Sequence, residues 1–145
     1  MTKLFKALED KNYWYGKYLA SNEAFLQALK HAPEVALDEL ELFHGNRESL
    51  LKILENLDKK IQVELAEPEW QGEVSSEART QIQRFIREKD SLIAKILELD
   101  TEILGTMETL RTEGLEKLKL LSKGKKALAN YKSSFNYNDK IDKRI

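Results

Sequence analysis

The chain contains no cysteine, and this absence excludes disulfide bonds, thiolate zinc sites and cysteine nucleophiles. It has only two prolines and six glycines among 145 residues, so few turns are available and its elements must be long. No stretch approaches the roughly 18 consecutive apolar residues of a membrane span, and we expect none. Residues 1–14 are charged throughout and lack the apolar run of a signal peptide. These absences favour a cytoplasmic location.

The charges are distributed unevenly along the chain. Hydrophobic residues make up 41% of the sequence and charged residues 34%, which fits one soluble helical domain. The net charge is −1, but residues 117–145 carry a net charge of +7 and the remaining residues −8. A basic end on an acidic body indicates either an electrostatic docking site or a tail that folds back on its own body.

Apolar residues recur along three segments at intervals of three or four positions, or of two such intervals together, which is the spacing of a helix that buries one face. Pro33 marks a turn after the first segment, and Glu67–Ser76, with its proline and glycine, separates the second from the third. The first pattern comprises Leu4, Leu8, Tyr15, Leu19, Leu26 and Leu29. The second comprises Leu37, Leu40, Phe43, Leu50, Leu54, Leu57, Ile61 and Leu65, with Arg47 in its one polar slot. The third comprises Ile82, Phe85, Lys89, Leu92, Ile96, Leu99, Ile103, Met107, Leu110, Leu118 and Leu121.

These patterns predict an all-α fold: an elongated antiparallel bundle of three to four long helices, with the last helix the longest. The second pattern keeps its phase across Gly45, which predicts one helix that bends there if anywhere. Ser75 or Ser76 suits the N-cap of the last helix. We predict a single helical domain over residues 1–132 and a basic, disordered tail over residues 133–145, where the helical period ends.

The last helix is predicted to outrun the other two. It extends over up to 50 residues, or about 75 Å, whereas the earlier helices span roughly 45 Å. Unless Gly105, Gly114 or Gly124 bends it, the helix must project, fold back or be covered by a second molecule.

Residues for catalysis or metal binding are scarce. Glu41 and His44 have the Glu-x-x-His spacing of di-iron bundles, but those sites need a second such motif, and His31 does not supply it. No serine lies in a nucleophile elbow, and no glycine-rich loop could cradle a phosphate. We therefore predict a protein that is not an enzyme and has no metal site or cofactor.

Aromatic and basic residues raise two further possibilities, nucleic-acid binding and a ligand cage. Lysines near tyrosines at the basic end could contact phosphates and bases, but the body is acidic and no nucleic-acid motif is present, so we predict no nucleic-acid binding. Trp14, Tyr15 and Tyr18 fall on the buried faces and are expected in the core, leaving Tyr13 exposed. The sequence leaves the role of Trp70 open: this loop residue could belong to a ligand site, although a loop tryptophan often caps the end of a bundle.

Protein binding remains the function class that the pattern favours. A long helix with an apolar face beyond the reach of its neighbours exposes a surface of the kind that marks an interface. The predicted partner contact is the apolar face of the last helix, formed by Met107, Leu110, Leu118, Leu121 and Leu128.

Two segments resemble the flagellar type III export chaperones of the FlgN/FliT type. "LDELELFHGNRESLLKILENLDKKI" (Leu37–Ile61) is similar to the second helix of that family, in which an acidic and apolar turn leads to Arg-Glu-x-Leu-Leu. "KGKKALANYKSS" (Lys123–Ser134) is similar to the basic stretch with a tyrosine near the end of the family's last helix. Phe135 and Tyr137, which follow it, have no counterpart that we can assign.

The resemblance implies a cytosolic chaperone with two partners. One is the helical terminal segment of a flagellar hook-associated or filament-cap protein, bound through the C-terminal helix. The other is the cytosolic domain of the export gate, for which the resemblance assigns Tyr131, and the neighbouring Lys125 and Lys126 suit an acidic receptor. A homodimer is also possible. The alternative is a coiled-coil structural or adaptor protein that self-associates or holds a permanent helical partner.

Overall fold

The computed structural model of the chain describes the backbone of residues 2–122 and the side chains of residues 2–114 and 116. These residues form α1 (Thr2–His31), α2 (Pro33–Asp38), α3 (Leu40–Leu65), a short 3₁₀ turn (Pro68–Trp70) and α4 (Ser76–Ser122). They contain no strand, so the predicted all-α bundle with a longest last helix is confirmed. The predicted boundary at residue 132 and the tail at 133–145 lie outside the described residues.

Helix α1 is the centre of the bundle, because it packs against both α3 and α4. It runs antiparallel to α3: Tyr18 meets Arg47, while the earlier Lys11 pairs with the later Asp58. It runs parallel to α4, since Asn12 donates a hydrogen bond to the carbonyl of Phe85 and residues later in α1 contact residues later in α4. The three long helices therefore run up, down and up.

Two apolar clusters hold the helices together at opposite ends of α1. The small core cluster has Leu4, Ala7 and Ile61 at its centre, and Trp70 packs against it with its ring 5.9 Å from that of Phe5. Trp70 thus covers this end of the bundle. The large core cluster joins all four helices and includes stacked rings at a centroid distance of 3.9 Å; its buried members are Phe25, Leu26, Leu29, Ala36, Leu40, Phe43, Ile103 and Met107.

Helix α4 extends well past the other helices. Ile82 packs near Leu4, so α1 and α4 start at the same end of the bundle. From that level α1 continues for about 40 Å and α4 for about 60 Å, which leaves roughly 20 Å of α4 beyond the end of α1. Gly105 and Gly114 do not interrupt α4, and Gly124 lies outside the described residues. The prediction that the last helix outruns its neighbours is confirmed for the backbone as far as Ser122.

The N-cap of α4 is as predicted, but the second helix is not. The hydroxyl of Ser75 accepts a hydrogen bond from the backbone N–H of Ala78 at 3.1 Å, the geometry of an N-cap.

The prediction of one helix from Leu37 onward is wrong, because Glu39, with φ −94° and ψ 8°, separates α2 from α3. The chain must cross from α1 to α3, whose axes in packed helices lie about 8–10 Å apart. Helix α2 connects the two and contacts both α1 and α3.

Gly45 lies within the unbroken α3, where it is exposed, and a Cβ placed on it would meet no atom within 4 Å. Gly45→Ala is therefore expected to raise the free energy of unfolding by about 0.5–1 kcal/mol, because alanine loses less backbone entropy in a helix. Urea unfolding measures the change. Gly72→Ala, in the loop before α4, is the control and should gain less. A loss of stability in Gly45→Ala would show that α3 needs glycine at this position.

Candidate functional site

An open groove lies between α3 and α4. Both helices pack on α1, and they contact each other far less than either contacts α1. The space between them is a cavity of about 330 Å³. Its lining is mostly apolar, and comes from α3 (Leu40, Phe43, His44, Arg47, Glu48, Leu51) and α4 (Asp100, Ile103, Leu104, Met107). The groove is thus a concave surface that two of the three long helices share.

Four polar side chains form a hydrogen-bonded cluster at the floor of this groove. Arg47 of α3 donates to the hydroxyl of Tyr18 from Nε at 2.9 Å, and also from Nη2. Its Nη2 lies 3.1 Å from Oδ1 of Asp100 on α4. The same Oδ1 accepts a hydrogen bond of 2.9 Å from Nδ2 of Asn22 on α1. This floor cluster therefore links all three long helices.

The floor cluster is largely buried. Asn22 is fully buried, and within the described part of the chain its Oδ1 has no hydrogen-bond partner. The Arg47 side chain is 25% exposed and that of Asp100 24%. The guanidinium carbon of Arg47 lies 5.1 Å from the ring centre of Tyr18 and 5.4 Å from that of Phe43, so two aromatic rings help hold the charge in place. Burying these groups costs solvation energy, which their mutual contacts offset only in part.

Exposed leucines form the walls of the groove. Leu51 of α3 is 52% exposed and Leu104 of α4 is 48% exposed. Ile86, Ile93 and Leu97 lie within about 20° of Leu104 around the axis of α4, so they extend this wall as a second apolar face. Leu97 is 59% exposed and Ile86 42%. Asp90, whose side chain is 67% exposed, and Asp100 interrupt this face. The exposed apolar side chains between them are of the kind found at interaction sites.

The structure separates the residues that the sequence predicted as a partner contact. Met107 is 2% exposed and belongs to the large core cluster, although it reaches the floor of the groove. Leu110 is half-buried against the same cluster. The backbone positions of Leu118 and Leu121 are in the last turns of α4, and nothing is described of their side chains. Leu128, Lys125, Lys126 and Tyr131 lie outside the described residues.

The groove as a whole was not predicted from the sequence. Only Arg47, as the polar position of the second pattern, and the lining residues that belong to the second and third apolar patterns had been singled out. Ile86, Ile93, Leu97 and Leu104 follow one another at spacings of seven, four and seven, a signal for a second helical face. The signal was overlooked because the third apolar pattern, on another face of the same helix, is stronger. No sequence pattern pointed to Asn22 or Asp100.

Two exposed charged pairs lie at the rim of the groove and along α4. His44 Nε2 lies 3.1 Å from Glu48 at the rim of the groove, with both side chains more than half exposed. Further along α4, Arg111 donates a hydrogen bond to Glu108, which holds the pKa of that carboxyl below its usual value. Among the described side chains, no three histidine or carboxylate groups lie close enough together to hold a metal ion.

The described helices lack a segment that is both long and apolar enough to cross a membrane. The candidate site is the groove between α3 and α4, with its polar floor and leucine walls. Searches of protein-family models, curated proteins and solved structures found no match to this chain.

Proposed function

We propose that the chain is a cytosolic chaperone of flagellar export. In this role it binds the helical terminal segment of a hook-associated or filament-cap protein and delivers it to the type III export gate. The observation that supports helix binding is the open groove between α3 and α4, whose leucine walls remain exposed. The flagellar substrate and the gate rest on the resemblance of Leu37–Ile61 and Lys123–Ser134 to that chaperone family.

The length of the apolar wall suits a helical partner. From Ile86 to Leu104 the second face of α4 covers about five turns, or roughly 27 Å. An amphipathic helix of similar length can lay its own apolar face along this wall and insert side chains into the groove. Burial of the exposed leucines supplies the main favourable term, at about 25 cal/mol for each Å² of apolar surface removed from water.

The proposal includes a second contact region, formed by the end of α4 and by residues that follow the described part of the chain. In the proposal, Leu118, Leu121 and Leu128 prolong the substrate contact, and Tyr131 with Lys125 and Lys126 docks on the export gate. Tyrosine combines a large contact area with a polar tip, which makes it a frequent interface anchor. The lysines steer an acidic receptor, so their contribution to docking should fade at high salt.

Leu104→Glu is expected to weaken binding of a hook-associated or cap-protein terminal helix at least about tenfold, because the partner would bury an unpaired carboxylate. Isothermal titration with the synthetic helix measures the dissociation constant. Leu42→Glu is the matched control, since Leu42 is 63% exposed on α3 and does not line the groove. Equal affinities of the two variants would contradict binding in the groove. Absence of binding of either class of flagellar helix to the unmodified protein would contradict the export role.

A self-associating helical adaptor is the second candidate function. Ile86, Ile93, Leu97 and Leu104 share the a and d positions of one heptad register, and this partial seam favours the candidate, although Asp90 and Asp100 occupy its two remaining positions. Sedimentation velocity separates the two. An export chaperone should be a monomer or weak dimer that forms a 1:1 complex with the substrate helix, whereas the adaptor should be a tight oligomer at every concentration.

A further inference from the structure

We propose that the groove selects a partner helix whose apolar face is interrupted by one neutral hydrogen-bonding side chain: asparagine, glutamine, serine or threonine. That side chain lies over the pair formed by Arg47 and Asp100. The inference rests on the proposed function only in that the groove holds a helix, and it does not depend on the identity of the partner.

The first step is the loss of water from the floor cluster. Arg47 and Asp100 line the groove, and about a quarter of each side chain is still exposed. A helix that fills the groove removes this remaining water. Charged groups that lose water without gaining new hydrogen bonds are costly, even when they are already paired. A partner with only leucine over the pair therefore loses part of the free energy that its apolar contacts supply.

The charge that the partner side chain can carry is set by the pair formed by Arg47 and Asp100. The guanidinium and the carboxylate form a neutral pair with a donor and an acceptor side by side. An amide or hydroxyl can accept from Arg47 and donate to Asp100 at once. A carboxylate or ammonium on the partner serves only one member of the pair and leaves an unbalanced charge in a dry groove. The complementary side chain is therefore neutral and polar.

The leucines on either side of the pair set the position of the polar residue along the partner helix. Leu51 lies one turn after Arg47 on α3, and Leu104 lies one turn after Asp100 on α4. Because α3 and α4 run in opposite directions, these leucines lie on opposite sides of the pair along the groove. The partner helix thus needs apolar side chains about one turn before and one turn after its polar residue. One polar residue at a core position fixes the register of paired helices in the same way.

We expect apolar side chains to stabilise this part of the bundle at least as well as the floor cluster does. The Oδ1 atom of the fully buried Asn22 has no hydrogen-bond partner among the described residues, and an unpaired buried acceptor weakens a fold. Apolar side chains of similar volume often replace buried ion pairs with no loss of stability. Discrimination among partner helices is a role that apolar side chains cannot supply, because a site with buried polar groups rejects a ligand that leaves them unpaired.

A displayed peptide library tests the inference without a known partner. The library consists of amphipathic helices of about 20 residues, roughly 30 Å long, with leucine at every apolar position except a central one that carries any amino acid. The bait is the full chain. Asparagine, glutamine, serine and threonine are expected to be enriched about tenfold over leucine at the central position. The selected peptides should lose binding to Leu104→Glu and keep it with Leu42→Glu.

Two variant baits make the assignment specific. The four-residue apolar variant, with Tyr18→Phe, Asn22→Leu, Arg47→Met and Asp100→Leu, should reverse the preference to leucine. The single variant Asp100→Asn tests the inference even if the four-residue variant does not fold, because the new amide oxygen can still accept the hydrogen bond from Asn22. It leaves Arg47 without a carboxylate, so selection should move to aspartate and glutamate.

Several outcomes would overturn the inference. They are leucine or a charged residue as the preferred central residue on the unmodified bait, the same preference on all baits, and no selected peptide that depends on Leu104. A dimer of the unmodified chain that Leu104→Glu dissociates would show that a second copy occupies the groove. If the polar preference is found but flagellar helices do not bind, the inference stands and the export role fails. If they bind in the groove but leucine is preferred, the inference alone fails.

Discussion

Leu54→Ala is expected to lower the free energy of unfolding by about 2–5 kcal/mol, the usual cost of removing a large side chain from a packed core. Leu54 is 4% exposed. It lies on α3 between Phe43 of the large core cluster and Ile61 of the small one. The cavity would therefore open in the middle of the contact between α1 and α3, where neither cluster can collapse easily to fill it. Urea unfolding followed by circular dichroism measures the loss.

Leu51→Ala is the matched control, because it makes the same chemical change one turn earlier on the same helix. Leu51 is 52% exposed and lines the groove. Its replacement should change the free energy of unfolding by no more than about 0.5 kcal/mol. The difference between the two variants thus reports burial alone, since helix propensity cancels. Equal losses of stability would mean that Leu54 is no more buried than Leu51, which would contradict the orientation of α3 about its axis.

Part of the core could be predicted from the sequence because apolar residues recur at helical spacing along each long helix. Leu4, Leu29 and Leu54 fall on the predicted stripes and are buried. The same spacing predicted that Arg47 would lie on the buried face of α3, where it pairs with Asp100. Periodicity predicts such positions well, since a helix that buries one face places every third or fourth residue against its neighbour.

The break between α2 and α3 could not be predicted in this way. Leu37 and Leu40 keep the spacing of a continuous helix, and the sequence around Glu39 contains neither proline nor glycine. Gly45, the residue that suggested a bend, lies inside an unbroken helix. The break lies where α2, which packs on α1, leads into α3, and this packing is a property of the whole bundle. Local propensity yields to such tertiary constraints.

The groove depends on the relative positions of helices and so has no local signature. Ile86 and Leu104 belong to a second face of α4, and the sequence does not say whether α3 covers that face. Asn22 and Asp100 are 78 positions apart and meet because α1 and α4 run parallel. In the sequence each is one polar residue among many. Their role becomes visible only when the packing places them, with Arg47, at the floor of an open groove.

Asp100→Leu is expected to lower the free energy of unfolding by about 2–4 kcal/mol, although leucine is the better helix former. The change leaves the guanidinium of Arg47 without its carboxylate and removes the acceptor for the buried amide of Asn22. Asp90→Leu is the control for helix propensity, because its side chain is 67% exposed on the same helix. This control should be neutral or slightly more stable than the unmodified protein.

The four-residue apolar variant should behave in the opposite way. With Tyr18→Phe, Asn22→Leu, Arg47→Met and Asp100→Leu together, no polar member of the floor cluster remains to be left unpaired. Replacement of a buried ion pair by apolar residues of similar volume is often neutral or stabilising by about 1–4 kcal/mol. We therefore expect a free energy of unfolding at or above that of the unmodified protein, measured by urea unfolding of all three variants. An Asp100→Leu protein of unchanged stability would show that water already compensates the pair. An unfolded four-residue variant would show that the cluster is needed to pack α1 against its neighbours, and Asp100→Asn would then decide whether it also selects partners.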